Sequence, residues 1–206
     1  MKSEEELLEL ANKKGWNYIS INEELSEKLI EKFKDKVDWE SISYSQKLSE
    51  EFIEKYQDRI DWFWVSEKQI LSELFIEKFQ DKVDWDLISL SQKLSESFIE
   101  KYQDRIDWKS ISYYQKLSED FIKKFQDKVY WWGISYSQKL SESFIEKFQD
   151  KVDWERISKY QILSEDFVLN NFSKINICAL KQNKHFDFKN IKNTELKLLL
   201  ELQGGF

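Results

Sequence analysis

The sequence predicts an all-α protein, an αα-hairpin solenoid of 23-residue repeats with degenerate capping units at its ends. Two residue columns support this prediction, because each recurs every 23 positions along most of the chain. A Leu-Ser-Glu motif begins at Leu25, Leu48, Leu71, Leu94, Leu117, Leu140 and Leu163. A tryptophan recurs at Trp16, Trp39, Trp62, Trp85, Trp108, Trp131 and Trp154. A fixed period in this range is typical of solenoids, in which each unit packs against its neighbours.

The first helix of a repeat begins at the Leu-Ser-Glu motif, as residues 48–70 illustrate. Ser49 is suited to cap a helix N-terminus, because its hydroxyl can accept from a free backbone N–H. Leu48 and Ile53 have the spacing of a hydrophobic staple around that cap. We therefore expect a helix A over roughly residues 49–58, with its apolar residues on one face.

The second helix of the repeat begins at the tryptophan. Asp61 is its expected cap, and Trp62, Val65 and Gln69 fall on one face at helical spacing. This predicts a helix B over roughly residues 62–69. Neither helix is long enough to be stable alone, so packing must hold the pair together. We expect the tryptophan to contribute most, about 1.5–3 kcal/mol or somewhat more per ring.

The repeat loses its pattern at both ends, as capping units do. We divide the single solenoid, residues 1–206, into an N-terminal cap unit (2–24), regular repeats (25–162), a degenerate repeat (163–185) and a C-terminal capping segment (186–206). Asn193 and Gly204 are the expected caps of a closing helix. Because the degenerate ends argue against open-ended polymerisation, we expect a monomer rather than an oligomer.

The recurring motif Leu-Ser-Glu-x-Phe-Ile-Glu-Lys-Phe-Gln-Asp-Lys-Val-Asp-Trp-x-x-Ile-Ser resembles the short helical-repeat proteins found in giant DNA viruses and some AT-rich bacteria. The resemblance covers most of the chain. It implies an array of αα repeats and a viral or mobile-element origin, and it carries no defined activity.

The composition favours a cytoplasmic protein, or one in the host cytoplasm if it is viral. The single cysteine, Cys178, cannot form an internal disulfide, which favours a reducing compartment. No apolar run approaches the roughly 18 residues of a membrane span. The N-terminus also lacks the basic-then-apolar order of a signal peptide.

Residues for catalysis are scarce, so we predict no enzyme, catalytic residue, metal or cofactor. His185 is the single histidine, which disfavours a metal cluster or a triad, and we expect it in an exposed turn. Cys178, between Ile177 and Ala179, is expected to be a small buried hydrophobe rather than a nucleophile. The carboxylates recur in columns, so they share one environment, whereas paired acid–base catalysis needs two unlike ones. We expect these carboxylates to form ladders with lysines of adjacent repeats.

Four positions of helix B vary between repeats, and they point away from the tryptophan face. Many carry aromatic residues or leucine, and clusters of exposed apolar side chains often mark interaction surfaces. The candidate protein-binding residues are Tyr44, Phe63, Trp64, Leu87, Leu90, Tyr113, Tyr114, Trp132, Tyr136 and Tyr160. A second helical layer covering them is the competing interpretation.

One repeat departs from the pattern, with Tyr130-Trp131-Trp132-Gly133 where others have Asp-Trp-x-x. The missing aspartate removes an N-cap, at a cost of about 1 kcal/mol. Such departures mark functional or strained sites, or neutral drift in a tolerant array.

These observations favour a non-enzymatic scaffold that presents variable helix-B side chains to a protein partner. The alternative is a viral or phage inhibitor that occupies a host nucleic-acid enzyme through its acidic surface. Residues 2–93 carry 14 basic and 22 acidic side chains, a net charge of −8, whereas residues 94–206 carry 18 and 17, or +1. This acidic balance makes direct nucleic-acid binding an unfavourable hypothesis. The remaining hypothesis is a spacer or a self-assembling rod.

Overall fold

The computed structural model describes residues 2–203, and its helices confirm the predicted αα-hairpin solenoid. Within that range there are seventeen α-helices, one short 3-10 helix and no strand. The α-helices are α1 Glu4–Lys14, α2 Trp16–Asn22, α3 Glu27–Lys32, α4 Trp39–Ser45, α5 Glu50–Lys55, α6 Trp62–Lys68, α7 Glu73–Lys78, α8 Trp85–Ser91, α9 Glu96–Lys101, α10 Trp108–Tyr114, α11 Glu119–Lys124, α12 Trp131–Ser137, α13 Glu142–Lys147, α14 Trp154–Tyr160, α15 Glu165–Asn170, α16 Ile177–Leu180 and α17 Thr194–Leu202, with the 3-10 helix at Phe188–Asn190.

The described chain divides into two compact units, residues 2–107 and residues 108–203. In the first unit, α2, α4, α6 and α8 pack one on the next, so that each helix B lies against the helix B of the following repeat. In the second unit, α10, α12, α14 and α16 follow the same rule, and α17 packs on α15. None of the helices in residues 2–203 is long and apolar enough to span a bilayer.

Helix A is capped as predicted but is shorter than predicted. The Ser49 hydroxyl accepts from the Phe52 N–H at 3.2 Å, which confirms the serine cap. The helix ends at Lys55 rather than near residue 58, and Tyr56 leaves helical geometry with φ −112° and ψ 25°. Tyr56 is buried, with its ring 4.9 Å from that of Trp39 in the preceding repeat. The last predicted turn of helix A is therefore a non-helical turn that leads into helix B.

Helix B matches its predicted extent to within one residue. The Asp61 carboxylate accepts from the N–H groups of Phe63 (2.9 Å) and Trp64 (3.3 Å), which confirms the aspartate cap. The helix ends at Lys68, and Gln69 leaves it in an extended conformation. This change of direction points the Gln69 side chain towards the preceding repeat.

The tryptophans, which are expected to contribute most to the packing energy, are not the most deeply buried residues of the repeat. Ile53, Val65 and the residues equivalent to them in residues 25–185 have no exposed surface, whereas six of the seven tryptophans of the repeat column are partly exposed and Trp85 is 9% exposed. The Trp62 ring still packs between repeats, 5.1 Å from that of Phe79. Its indole N–H donates to the Gln57 carbonyl at 3.0 Å. Because this donor needs a polar acceptor, the ring lies at the edge of the core, and aliphatic residues fill the centre.

Buried serine and glutamine side chains connect successive repeats. The Ser43 hydroxyl donates to the Trp39 carbonyl at 2.8 Å and accepts from the Asp61 N–H of the next repeat at 2.9 Å. Gln69 Nε2 donates to the carbonyls of Ser43 (2.9 Å) and Gln46 (2.8 Å). Equivalent donor pairs are made by Gln46, Gln92, Gln138 and Gln161, and by Asn183 in the degenerate repeat. These bonds satisfy backbone groups that would otherwise be unpaired between repeats.

The terminal elements differ from the repeats. Ser3 and Glu6 form a reciprocal capping box at α1, and Gly15 begins α2 without a side-chain cap. At the other end, Asn193 caps α17 as predicted, accepting from the N–H groups of Glu195 and Leu196. The predicted closing cap, Gly204, lies outside the described residues.

Candidate protein-binding site

The ten predicted binding residues all lie at the surface of helix-B elements, and none of them is buried. Four are exposed, namely Tyr44, Phe63, Leu90 and Tyr114. The other six are half-buried, namely Trp64, Leu87, Tyr113, Trp132, Tyr136 and Tyr160. No second helical layer covers these positions in the part of the chain that the structure describes, so the competing interpretation is wrong.

In residues 2–107, three of these side chains form a cluster, named here the N-terminal cluster, of Tyr44, Phe63 and Trp64. The Trp64 ring lies edge-on to Tyr44 at 4.6 Å and to Phe63 at 4.8 Å. The Lys68 ammonium lies 5.3 Å from the centre of the Tyr44 ring. Leu87 and Leu90 lie on the next helix B, α8, and are not part of this ring cluster.

In residues 108–203, a larger set of rings is assembled, named here the aromatic patch: Tyr113, Tyr114, Tyr130, Trp132, Tyr136 and Tyr160. At its centre the rings of Tyr113, Trp132 and Tyr136 are nearly parallel. The Trp132 and Tyr136 rings lie 5.5 Å apart at an angle of 2°, and Tyr113 lies 5.0 Å from Tyr136 at 18°. Tyr114 extends the patch from Tyr113 at 4.8 Å, and Tyr160 extends it from Tyr136 at 4.5 Å.

Tyr130 is the member of the patch that was missing from the predicted binding residues. The residue is 40% exposed, and its ring lies 6.2 Å from that of Trp132. The sequence marked this position only as a missing cap, and the structure confirms that α12 has no side-chain cap. In the next repeat, the Asp153 carboxylate accepts from the Arg156 N–H at 2.9 Å. The repeat therefore has an aromatic surface residue in place of a cap worth about 1 kcal/mol.

Gly133, the other unusual residue of this repeat, is not required by steric crowding. A Cβ atom there would meet the Ser112 side chain at 3.4 Å, which is ordinary van der Waals contact. The Gly133 carbonyl accepts from Ser137 Oγ at 2.9 Å, and the same hydroxyl also lies 3.2 Å from the Ser112 carbonyl. Because glycine is about 1 kcal/mol less favourable than alanine inside a helix, this repeat departs from its most stable sequence twice.

Cations lie over the rings of the aromatic patch. The Arg156 guanidinium lies 5.0 Å from the centre of the Trp132 ring, and the ammonium groups of Lys109 and Lys159 lie over Tyr130 (5.7 Å) and Tyr160 (5.4 Å). Residues 108–206 carry 16 basic and 13 acidic side chains, a net charge of +3, whereas residues 1–107 carry 16 and 26, a net charge of −10. The aromatic patch therefore lies in the basic unit of the chain.

One tyrosine at the centre of the patch, Tyr113, has a shifted titration. The hydrogen bond with Tyr136, together with partial removal from water, raises the pKa of Tyr113 above its usual value. Both effects favour the neutral phenol.

Some of the carboxylates pair with lysines of adjacent repeats, as predicted. Glu31 and Glu54 accept from Lys55 and Lys78 of the following repeats, each at 2.5 Å. The Glu50 carboxylate instead accepts from the Ser72 N–H at 2.5 Å, which joins two repeats through a helix cap. These acids thus act mainly in contacts between repeats.

The two unusual single residues of the chain lie near its C-terminal end. His185 is exposed in a turn, as predicted. Cys178 is also exposed, so the expectation of a buried hydrophobe was wrong. It immediately follows the tryptophan column, as Phe63 and Trp132 do, and side chains in that position face outwards.

No family model matches the chain, and comparisons with curated proteins and with solved structures find no significant similarity.

Proposed function

We propose that the chain is a non-enzymatic interaction module whose helix-B face binds a partner protein, with the aromatic patch as the principal contact. The observation that supports this most is the patch itself, six neighbouring rings at the surface, three of them in the repeat that lacks both the usual cap and a helix-favouring residue. Tyrosine and tryptophan dominate the energetics of protein interfaces. Contiguous apolar side chains at a surface favour an interaction role over a purely structural one.

The stacking of the rings supports a protein partner rather than a single-stranded nucleic acid. Base-binding platforms need free ring faces, because each base stacks on one. The faces of Tyr113, Trp132 and Tyr136 are directed towards one another, and the guanidinium of Arg156 lies over Trp132. The ring edges therefore remain for a partner, as in aromatic contacts between proteins.

The cations over the patch favour an acidic segment in the partner. Arg156, Lys109 and Lys159 lie over its rings, and residues 108–206 have a net charge of +3. Complementary charge would speed the encounter and orient the bound segment. The alternative of an acidic inhibitor of a nucleic-acid enzyme is less favoured, since several acidic side chains already pair with lysines of adjacent repeats.

Site-specific photo-crosslinking in the native cell tests this proposal. A photoreactive phenylalanine analogue is placed at Tyr114, which is 59% exposed in the patch, and at Ile162, which is 66% exposed outside it. We expect a discrete crosslinked protein from position 114 that is absent from position 162. The crosslink should weaken when Trp132 is replaced by alanine.

Equal crosslinking from both positions would indicate non-specific contact and contradict the proposal. Loss of the crosslink after nuclease treatment would instead identify a nucleic acid and would also contradict it.

A further inference from the structure

A groove in residues 2–107 has a chemistry different from that of the aromatic patch. It has a volume of about 340 Å³ and is lined by Ile21, Asp38, Glu40, Ser41, Tyr44 and Trp64. From this arrangement we propose that the groove binds the cationic side chain of a lysine or arginine in a partner protein. The inference rests on the proposed function only in assigning the cation to a protein, and the groove is a site separate from the patch.

Two carboxylates give the groove its charge. Glu40 lies in the first turn of α4, and its side chain makes no ion pair or hydrogen bond with any of the described residues. Asp38 caps the same helix through Oδ2, which accepts from the N–H and hydroxyl groups of Ser41. Both of these bonds use Oδ2, so Oδ1 is left to accept from an ammonium or guanidinium group.

Two rings and an aliphatic side chain supply the remainder of the groove. The Tyr44 and Trp64 rings meet edge to face at 4.6 Å, and Ile21, which is 50% exposed, supplies an apolar surface. Cations bind favourably over such rings, and the methylene stem of a lysine packs on apolar surface. The combination of rings, apolar surface and carboxylates matches a long cationic side chain better than a neutral or an acidic one.

The chain itself already places a cation on these rings. The Lys68 ammonium lies 5.3 Å from the centre of the Tyr44 ring and 6.0 Å from that of Trp64. It also pairs with Glu67 at 3.0 Å. Lys68 is therefore an internal example of the proposed ligand class, and its charge opposes the entry of a second cation.

The surrounding charge supports the same ligand. Residues 1–107 carry a net charge of −10. A negative field of this kind attracts cationic segments over several ångströms at low ionic strength and less at high salt. The groove thus combines short-range acceptors with a favourable long-range field.

NMR titration of the full chain tests the proposal with N-acetyl-lysine methylamide as the probe and N-acetyl-norleucine methylamide as its neutral counterpart. At low salt, the lysine probe is expected to shift the Ile21 methyl and the Trp64 indole N–H resonances, with saturation in the millimolar range. The norleucine probe should shift them much less. Equal shifts from both probes would show that the groove selects for apolar surface alone and would overturn the proposal.

Three variants refine the test, each checked for an unchanged melting temperature. Glu40→Gln should weaken binding severalfold, whereas Asp86→Asn, a matched control in the same helix position two repeats later, should not. Lys68→Gln should tighten binding about threefold, because it removes a like charge beside the groove. Weaker binding after Lys68→Gln, or no effect of Glu40→Gln, would contradict the proposal. The crosslinking at Tyr114 does not depend on this groove, so the two proposals can fail separately.

Discussion

The Gln69 side chain donates to the backbone carbonyl of Gln46, 23 residues earlier, at 2.8 Å. Its Oε1 also accepts from the Leu48 N–H at 3.0 Å. A single buried amide thus satisfies backbone groups at the start of its own repeat and at the end of the preceding one. Equivalent bonds are made by other glutamines of the column, which therefore joins successive repeats together with the apolar columns.

Gln69→Leu should therefore destabilise the protein although it adds apolar volume. It leaves the Leu48 N–H and the Ser43 and Gln46 carbonyls buried without partners, and each unsatisfied group costs about 1–3 kcal/mol. We expect the free energy of unfolding, measured by urea denaturation, to fall by about 2–4 kcal/mol.

The control is Gln57→Leu, because the Gln57 side chain bonds only to exposed Lys82 among the described residues. We expect it to change the unfolding free energy by less than about 0.5 kcal/mol, as for other surface changes. Equal effects of the two substitutions would show that the buried bonds contribute little.

The aliphatic column should be more sensitive than the tryptophan column. Ile76 has no exposed surface, so Ile76→Ala should cost about 2–5 kcal/mol through loss of contacts and a residual cavity. Trp62→Phe retains a ring at the edge of the core and removes the bond to Gln57, at a cost of about 1 kcal/mol. Thermal and urea unfolding measure the free energy of unfolding of the two variants. A larger loss of that free energy from Trp62→Phe would show that the tryptophans contribute most, as expected from the sequence.

Restoring the missing cap should stabilise the protein at the expense of binding. Tyr130→Asp supplies an acceptor for the first turn of α12, worth about 0.5–2 kcal/mol, and removes a ring from the patch. We expect a higher melting temperature together with a weaker crosslink from position 114. A variant that is more stable and binds normally would show that Tyr130 has no binding role and arose by neutral drift.

The shifted pKa of Tyr113 gives a prediction about pH. Because the pKa of Tyr113 is raised in the folded state, its contribution to stability is complete below the unfolded pKa of about 10 and is lost as pH rises from there through the folded value. Tyr136→Phe removes the hydrogen-bonding hydroxyl and should lower the pKa of Tyr113. NMR of ¹³Cζ-labelled tyrosine measures this pKa directly, and an unchanged value in the variant would exclude the hydrogen bond as its main cause.

The caps and helix order could be predicted because they depend on residues close in sequence. Ser49 and Asp61 each bond to N–H groups two or three positions away. The glutamine column could not be assigned in this way, because the partners of Gln69 lie 21 to 26 residues earlier. Its role depends on how one repeat is placed on the next, which a residue pattern does not specify.

The candidate site could be predicted only in part, because contacts between its rings depend on how one repeat is placed on the next. Helical spacing placed Tyr113, Trp132 and Tyr136 on the outward face, and they meet there. Tyr130 was missed as a member, because a cap position gives no indication of where its ring points. The burial of Cys178 was mispredicted from its apolar neighbours, although its position in the repeat would have placed it on the outward face.

The central claim is that buried glutamine and aliphatic columns hold the repeats together, which leaves the aromatic patch available for a partner. The most direct test compares the unfolding free energy of Gln138→Leu with that of the double variant Tyr114→Ala, Trp132→Ala. We predict a loss of about 2–4 kcal/mol for Gln138→Leu and less than about 1.5 kcal/mol for the double variant, since its side chains are exposed or half-buried. A double variant that unfolds more easily than Gln138→Leu would place the patch in the core and contradict the account.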